Sequence, residues 1–230
     1  MQNHDRESEG QRPRRQGNHG EQARLQQQIA WGRQITRLDA TPATILALFE
    51  SEGHRFEARN LATALHRVGK LGGRRLTRDP RLERLIETCA WRIREFEPQG
   101  ITNIARGCAK TGFCDHRIFE AIAAVAARRI TEFTSQAIAN TAWACATASV
   151  TAEPLFKAIA VEVPRRIGEF NAQEMANTIW AFATANIAAE RLFGAIAKEA
   201  PRRIGEFDSQ AMANTAWAFA KAGVAAEPLF

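Results

Sequence analysis

The chain has no tyrosine, and its β-branched residues nowhere alternate with polar ones over the length of a strand. That argues against a sheet and for closely packed helices. No apolar run approaches the length of about eighteen residues that a membrane span needs. There is no glycine-rich phosphate loop, no HExxH, no GxSxG and no motif pairing a nucleophile with a base, so no catalytic residue, cofactor or small-molecule substrate is expected. The four cysteines, Cys89, Cys108, Cys114 and Cys145, form no paired motif, which predicts buried thiols in a reducing compartment. Cys108, Cys114 and His116 lie close together, but their spacing fits no zinc motif and a fourth ligand is missing, so no metal is expected.

What the sequence does contain is a repeat. Phe133 opens FTSQAIANTAWACATASVTAEPLFKAIAVEVPRRIGE, and Phe170 opens FNAQEMANTIWAFATANIAAERLFGAIAKEAPRRIGE. Phe207 opens a third copy that stops at Phe230, and Phe96 opens a more diverged one. These phenylalanines stand 37 residues apart each time, and a weaker copy begins at Phe56. A period of this size means stacked supersecondary units. The expected fold is all-α, a right-handed α-solenoid of about 37-residue helix-turn-helix repeats.

Three regions follow. Residues 1–28 are polar and mixed in charge, with too few large apolar groups to offset ordering entropy, and are expected to be a disordered tail. Asp5, Glu7, Glu9 and Glu21 do not suit an organellar transit peptide. Residues 29–55 read as a helical cap in which Thr41 and Pro42 start a helix. Residues 56–230 form the repeat domain, with units beginning near 56, 96, 133, 170 and 207. In the first unit Leu82, Leu85, Ile86 and Trp91 form an apolar set, and Gly69, Gly72 and Gly73 mark the turn. The last unit stops at the start of its second helix, which predicts a truncated product or a surface for another chain.

Within each later unit the punctuation is explicit. Thr134, Asn171 and Asp208 are helix N-caps, and Asn171 with Glu174 forms a capping box. The first helix ends near Gly112, Ser149, Asn186 and Gly223. Pro164 and Pro201 fall late in the second helix and predict a kink there.

Superposing the copies gives two ladders of candidate contacts. On the first helix stand Asn103, Asn140, Asn177 and Asn214, followed three residues later by Arg106, Trp143, Trp180 and Trp217. Four further on, and at the matching place in the weak first unit, come Lys70, Lys110, Thr147, Thr184 and Lys221. These spacings keep each set on one helix stripe, apart from the core stripe of Met175, Ile179 and Phe182. Planar groups stack on bases and amides read base edges, which suits single-stranded RNA. A repeated tryptophan also fills space between helices and a repeated asparagine also bonds to a neighbour's backbone, so both roles stand open. The second ladder is Arg92, Arg129, Arg166 and Arg203, preceded in three units by Arg128, Arg165 and Arg202. The latter three can pair with Glu132, Glu169 and Glu206 four residues on, which leaves the Arg92 column to meet phosphates. A formal charge of +6 agrees with an acidic partner.

The "QxxANTAWAxA" helix, preceded by phenylalanine and followed by "PLFxAIA…RRIGEF", resembles organellar helical-repeat RNA-binding proteins. These include the octotricopeptide-repeat and FAST-kinase-like leucine-rich proteins and the RNA-editing substrate-binding complex subunit six type of domain. The resemblance implies an α-solenoid in mitochondria or chloroplasts that binds transcripts and supports their processing, stability, editing or translation. It implies single-stranded RNA and other proteins of a processing complex as partners; the lack of an active-site motif in the sequence predicts that the chain is not an enzyme. The rival expectation is a solenoid scaffold for protein partners, in an organelle or the cytoplasm.

Overall fold

In a computed structural model the described residues are 16–113, 115–150 and 152–224, with side chains from residue 20 onward. They form helices α1 (Gln16–Thr36), α2 (Pro42–Glu52), α3 (Ala58–Gly72), α4 (Pro80–Trp91), α5 (Pro98–Thr111) and α6 (His116–Arg128). There follow α7 (Ser135–Thr147), α8 (Glu153–Arg165), α9 (Ala172–Thr184), α10 (Glu190–Glu199) and α11 (Ser209–Ala222). No strand occurs among the described residues.

The helices pack in two rows. In the odd row α1, α3, α5, α7, α9 and α11 each lie against the next, and in the even row α2, α4, α6, α8 and α10 do the same. Between the rows runs one continuous apolar core. Its largest members recur by unit: Phe56, Phe96, Phe133 and Phe170 open the odd helices and are buried, as are Phe119, Phe156 and Phe193 of the even row. Phe156 of α8 meets Phe182 of α9 edge-on at 4.9 Å, and Phe193 of α10 meets Phe219 of α11 in the same way at 5.2 Å. Helices α8 and α10 thus each staple to the odd helix of the following unit. Cys108 and Cys145 stand where α9 and α11 carry Phe182 and Phe219, and with Cys89 they are buried. Burial drives the Cys89 and Cys145 thiols upward, the latter to about 12. These three cysteines fill core volume, and Cys114 lies outside the described residues.

The helix punctuation matches the sequence. Oxygens of the Thr134, Asn171 and Asp208 side chains accept from the backbone N–H of Ala137, Glu174 and Ala211, and the Glu174 carboxylate accepts in return from the Asn171 N–H. Thr41 caps α2, with Pro42 as its first residue. Ser149, Asn186, Gly112 and Gly223 all leave their helices with positive φ.

Four expectations change. Residues 16–28, expected to be disordered, belong to α1, while residues 1–15 lie outside the described region. Straight-chain residues such as those of GEQARLQQQ lose little rotamer freedom in a helix, and Gln28 anchors this one. Its amide donates to the Arg55 carbonyl at 2.8 Å and accepts from the Glu57 N–H and the Asn60 side chain. Trp91, placed with the apolar set of α4, is instead 85% exposed, whereas Leu82, Leu85 and Ile86 are buried. Gly69 lies inside α3, not in the turn: a Cβ there would come 2.7 Å from the Gly107 carbonyl oxygen, so the glycine permits close approach of α3 and α5.

The fourth change concerns the break after the even helices. The chain leaves helical geometry at Arg92, Arg129, Arg166 and Arg203, with φ between −97° and −123°, before a short 3₁₀ turn. The break comes in units with and without a nearby proline, and α8 runs through Pro164 to Arg165. At Pro201 the α-helix has already ended and a 3₁₀ turn begins. The arginine position, not the proline, is where all four units turn.

Candidate nucleic-acid interface

Each odd helix presents one polar stripe away from its core face. On α7 it comprises Gln136, Asn140, Trp143 and Thr147; on α9, Gln173, Asn177, Trp180 and Thr184; on α11, Gln210, Asn214, Trp217 and Lys221. On α5 the same places hold Gln99, Asn103, Arg106 and Lys110, and α3 ends its stripe with His66 and Lys70. Steps of four, three and four residues keep the groups on one side of each helix. Met175, Ile179 and Phe182 lie on the other side, fully buried.

The asparagines do not bond to neighbouring backbone. Among the described residues, Asn140, Asn177 and Asn214 make no side-chain hydrogen bond, nor do Gln136, Gln173 and Gln210; Asn103 accepts only from Gln99, at 3.2 Å. The tryptophans divide their area between two tasks. Trp143 and Trp180 pack against the core while keeping part of each ring accessible. Trp217 is 45% exposed, with its ring 6.3 Å from that of Trp180 and tilted 35°. Thr184, Lys70 and Lys221 are exposed, Lys110 is half-buried, and the Thr147 hydroxyl is buried without a partner.

Between α5, α7 and α9 the stripe encloses a groove of about 350 Å³, into which Arg106, Lys110, Asn140, Trp143, Gln173 and Asn177 project. Glu174 also lines it, but its carboxylate is held by the α9 capping box. The groove is therefore cationic at its α5 side and amide-rich along its length. The glutamine column is the part of the site that sequence reasoning missed. Its signal is the repeated glutamine four residues before each asparagine.

The arginine ladder has another task. Arg92 Nη1 donates to the Phe56 carbonyl at 2.7 Å, and Arg129, Arg166 and Arg203 repeat the bond to Phe96, Phe133 and Phe170 at 2.9, 3.0 and 2.6 Å. The remaining donors of each guanidinium hold the carboxylate three residues on, Glu95, Glu132, Glu169 or Glu206. This charge-assisted pairing keeps those carboxyls below their ordinary range. Each arginine so ties the end of an even helix to the start of the odd helix in its own unit.

The expected pairing is thereby reversed. Glu132, Glu169 and Glu206 go to Arg129, Arg166 and Arg203 and not to Arg128, Arg165 and Arg202. The spacing rule of four residues assumes a continuous helix, and helical geometry breaks at the second arginine of each pair. The outer column, Arg128, Arg165 and Arg202, is exposed together with Trp91; Arg165 and Arg202 have only long ion pairs, at 4.0 and 3.8 Å.

Among the described residues no three His, Cys, Asp or Glu side chains come together as a metal site, and no helix is long and apolar enough to cross a membrane. No curated protein matches the chain. Residues 55–230 match the family described as RNA-editing substrate-binding complex 6 protein.

Proposed function

This chain belongs to the RNA-editing substrate-binding complex 6 family, and from that premise we propose a non-enzymatic module that binds single-stranded RNA along its odd row of helices. Its fold in this reading is a right-handed α-solenoid of about 37-residue units. It works in a mitochondrial RNA-editing complex, with protein partners beside the RNA. The family match favours editing over the stability and translation roles that the wider resemblance also implied.

One observation carries the reading: the columns of Asn and Gln amides, unbonded among the described residues, that run beside partly exposed tryptophan rings. Six amides without protein partners at repeating positions have donors and acceptors to offer base edges, and the rings offer stacking surface. The contacts are Asn103, Asn140, Asn177 and Asn214, the rings of Trp143, Trp180 and Trp217, and Arg106 with the Lys70, Lys110, Thr147, Thr184 and Lys221 column. Gln99, Gln136, Gln173 and Gln210 are added to them. Arg92, Arg129, Arg166 and Arg203 are left to closing their units.

The test is binding of the purified chain to labelled single-stranded RNA, with a variant carrying Asn140→Ala, Asn177→Ala and Asn214→Ala. Affinity should fall by roughly 100-fold or more, on the order of 1 kcal/mol or more for each of the three lost base contacts. Thermal unfolding should not fall, since these amides make no side-chain hydrogen bond among the described residues and alanine is the better helix former. Absence of RNA binding at low ionic strength from a folded sample overturns the proposal and leaves the protein scaffold as the reading to pursue.

A further inference from the structure

The stripe changes character along the row. In α7, α9 and α11 its third position is tryptophan, but in α3 and α5 it is His66 and Arg106, with Lys70 and Lys110 one turn on and Arg67 beside His66. Gly69 and Gly107 let α3 and α5 approach until a Cβ at Gly107 would lie 2.7 Å from the Leu65 carbonyl oxygen. That approach draws four cations around one imidazole. Among the described residues none of Arg67, Lys70, Arg106 and Lys110 pairs with a carboxylate. Arg67 gives one Nη2 hydrogen bond to the Arg37 carbonyl. The Nε atoms of Arg67 and Arg106 and Nδ1 of His66 are buried without partners. Elsewhere in the chain, arginine–carboxylate pairs recur unit after unit, so an unpaired cluster of this kind stands out as a place where charge is left for a ligand.

We propose that Lys70, Arg106 and Lys110, backed by Arg67, form a phosphate-binding site between α3 and α5, beside the α5 side of the groove, seating the phosphate of a nucleotide whose base lies on the Trp143 side. The proposal rests on the RNA reading of the stripe and adds to it a direction: the strand is held by a phosphate at one end and read by amides and rings beyond it. Three features support it. The groove, at about 350 Å³, is of a size that admits one nucleotide. Arg106 and Lys110 reach into the groove that Trp143 lines. Burial, and then the charges of Arg106, Lys110, Lys70 and Arg67, push the His66 imidazole down to about 4, so His66 is neutral and its unpartnered ring nitrogen adds no charge at neutral pH. Burial and the neighbouring Arg106 and Lys70 lower Lys110 in the same way. An anion in the cluster opposes the part of each shift that the neighbouring cations cause.

The experiment titrates the full chain at low ionic strength with adenosine monophosphate, inorganic phosphate and adenosine, following the His66 ring signals by NMR, assigned with His66→Gln. Adenosine monophosphate and phosphate should shift those signals and raise the His66 titration midpoint, because a nearby anion favours the imidazolium; adenosine should not. The double variant Arg106→Gln, Lys110→Gln should weaken monophosphate binding by roughly tenfold or more and lower the salt dependence of RNA binding by about 0.7 in slope per lost contact. Lys198→Gln, which removes an exposed cation of α10, should do neither. A single-stranded oligoribonucleotide should displace the monophosphate. No His66 response to phosphate or monophosphate, equal losses from Lys198→Gln, or RNA that binds without displacing the nucleotide each overturns the site. RNA bound equally by the double variant sinks the phosphate site but leaves the RNA reading intact. Phosphate held by a chain that binds no RNA does the reverse.

Discussion

Arg165 and Arg166 are neighbours in sequence with opposite employment. Arg166 donates to the Phe133 carbonyl and grips Glu169, and its side chain is only 20% exposed; that of Arg165 is 71% exposed and makes one long ion pair. Hydrogen bonds from a charged group are worth more than neutral ones, so Arg166→Gln should cost about 2 kcal/mol in chemical denaturation, and Arg165→Gln no more than about 0.5 kcal/mol. Equal effects would mean that the closing bond is not what holds the unit. The sequence marks both arginines as repeated, but it does not reveal which is which. Each has a glutamate within one helical turn, and the choice depends on a backbone break at Arg166 itself, with φ −119° and ψ 20°. No residue type announces that conformation, whereas the asparagines and tryptophans of the stripe were legible from spacing alone.

At the scale of the helix, the sequence was informative where side chains act on nearby backbone. Thr41, Thr134, Asn171 and Asp208 cap helices as their identities predict, and Gly112 and Gly223 end them. It was less informative where a partner lies far along the chain. The helical state of residues 16–28 depends partly on Gln28 meeting Arg55, Glu57 and Asn60, some thirty positions away. The role of Gly69 depends on Gly107 in the adjacent helix. That pair gives a direct test. Gly107→Ala places a methyl group against the Leu65 backbone, which cannot yield as a side chain does, and should lower stability by about 1–3 kcal/mol. Gly168→Ala, at an open position in a turn, should stay within about 0.5 kcal/mol. A thermal or denaturant melt of the two variants against the parent decides it.

Across the whole molecule the repeated arginine–carboxylate pairs set a common response to acid. The carboxyls of Glu95, Glu132, Glu169 and Glu206 are held below their usual 4.5 by hydrogen bonds from their arginines, and Asp79 and Asp115 are lowered by Arg81 and Arg117. A carboxyl lowered by folding contributes stability that is complete above its unfolded value and is lost as pH falls through the folded one. A variant with Glu132, Glu169 and Glu206 changed to glutamine should therefore melt below the parent at neutral pH, with the gap closing as pH drops beneath 4.5. The gap should be modest, since these carboxylates are about half exposed to solvent. A gap that is independent of pH would assign the loss to packing and not to the charge pairs.

The bond from each arginine to a phenylalanine carbonyl closes within one unit, between residues 33 to 36 positions apart, and does not cross to the next. A stretch copied from one opening phenylalanine to the residue before the next brings its own fastening with it. Duplication or loss of such a stretch in a gene would lengthen or shorten the protein by a whole step and leave every remaining fastening matched. The length of the polar stripe along the odd row can then change by whole-unit gain or loss, without any new pair of residues having to arise together.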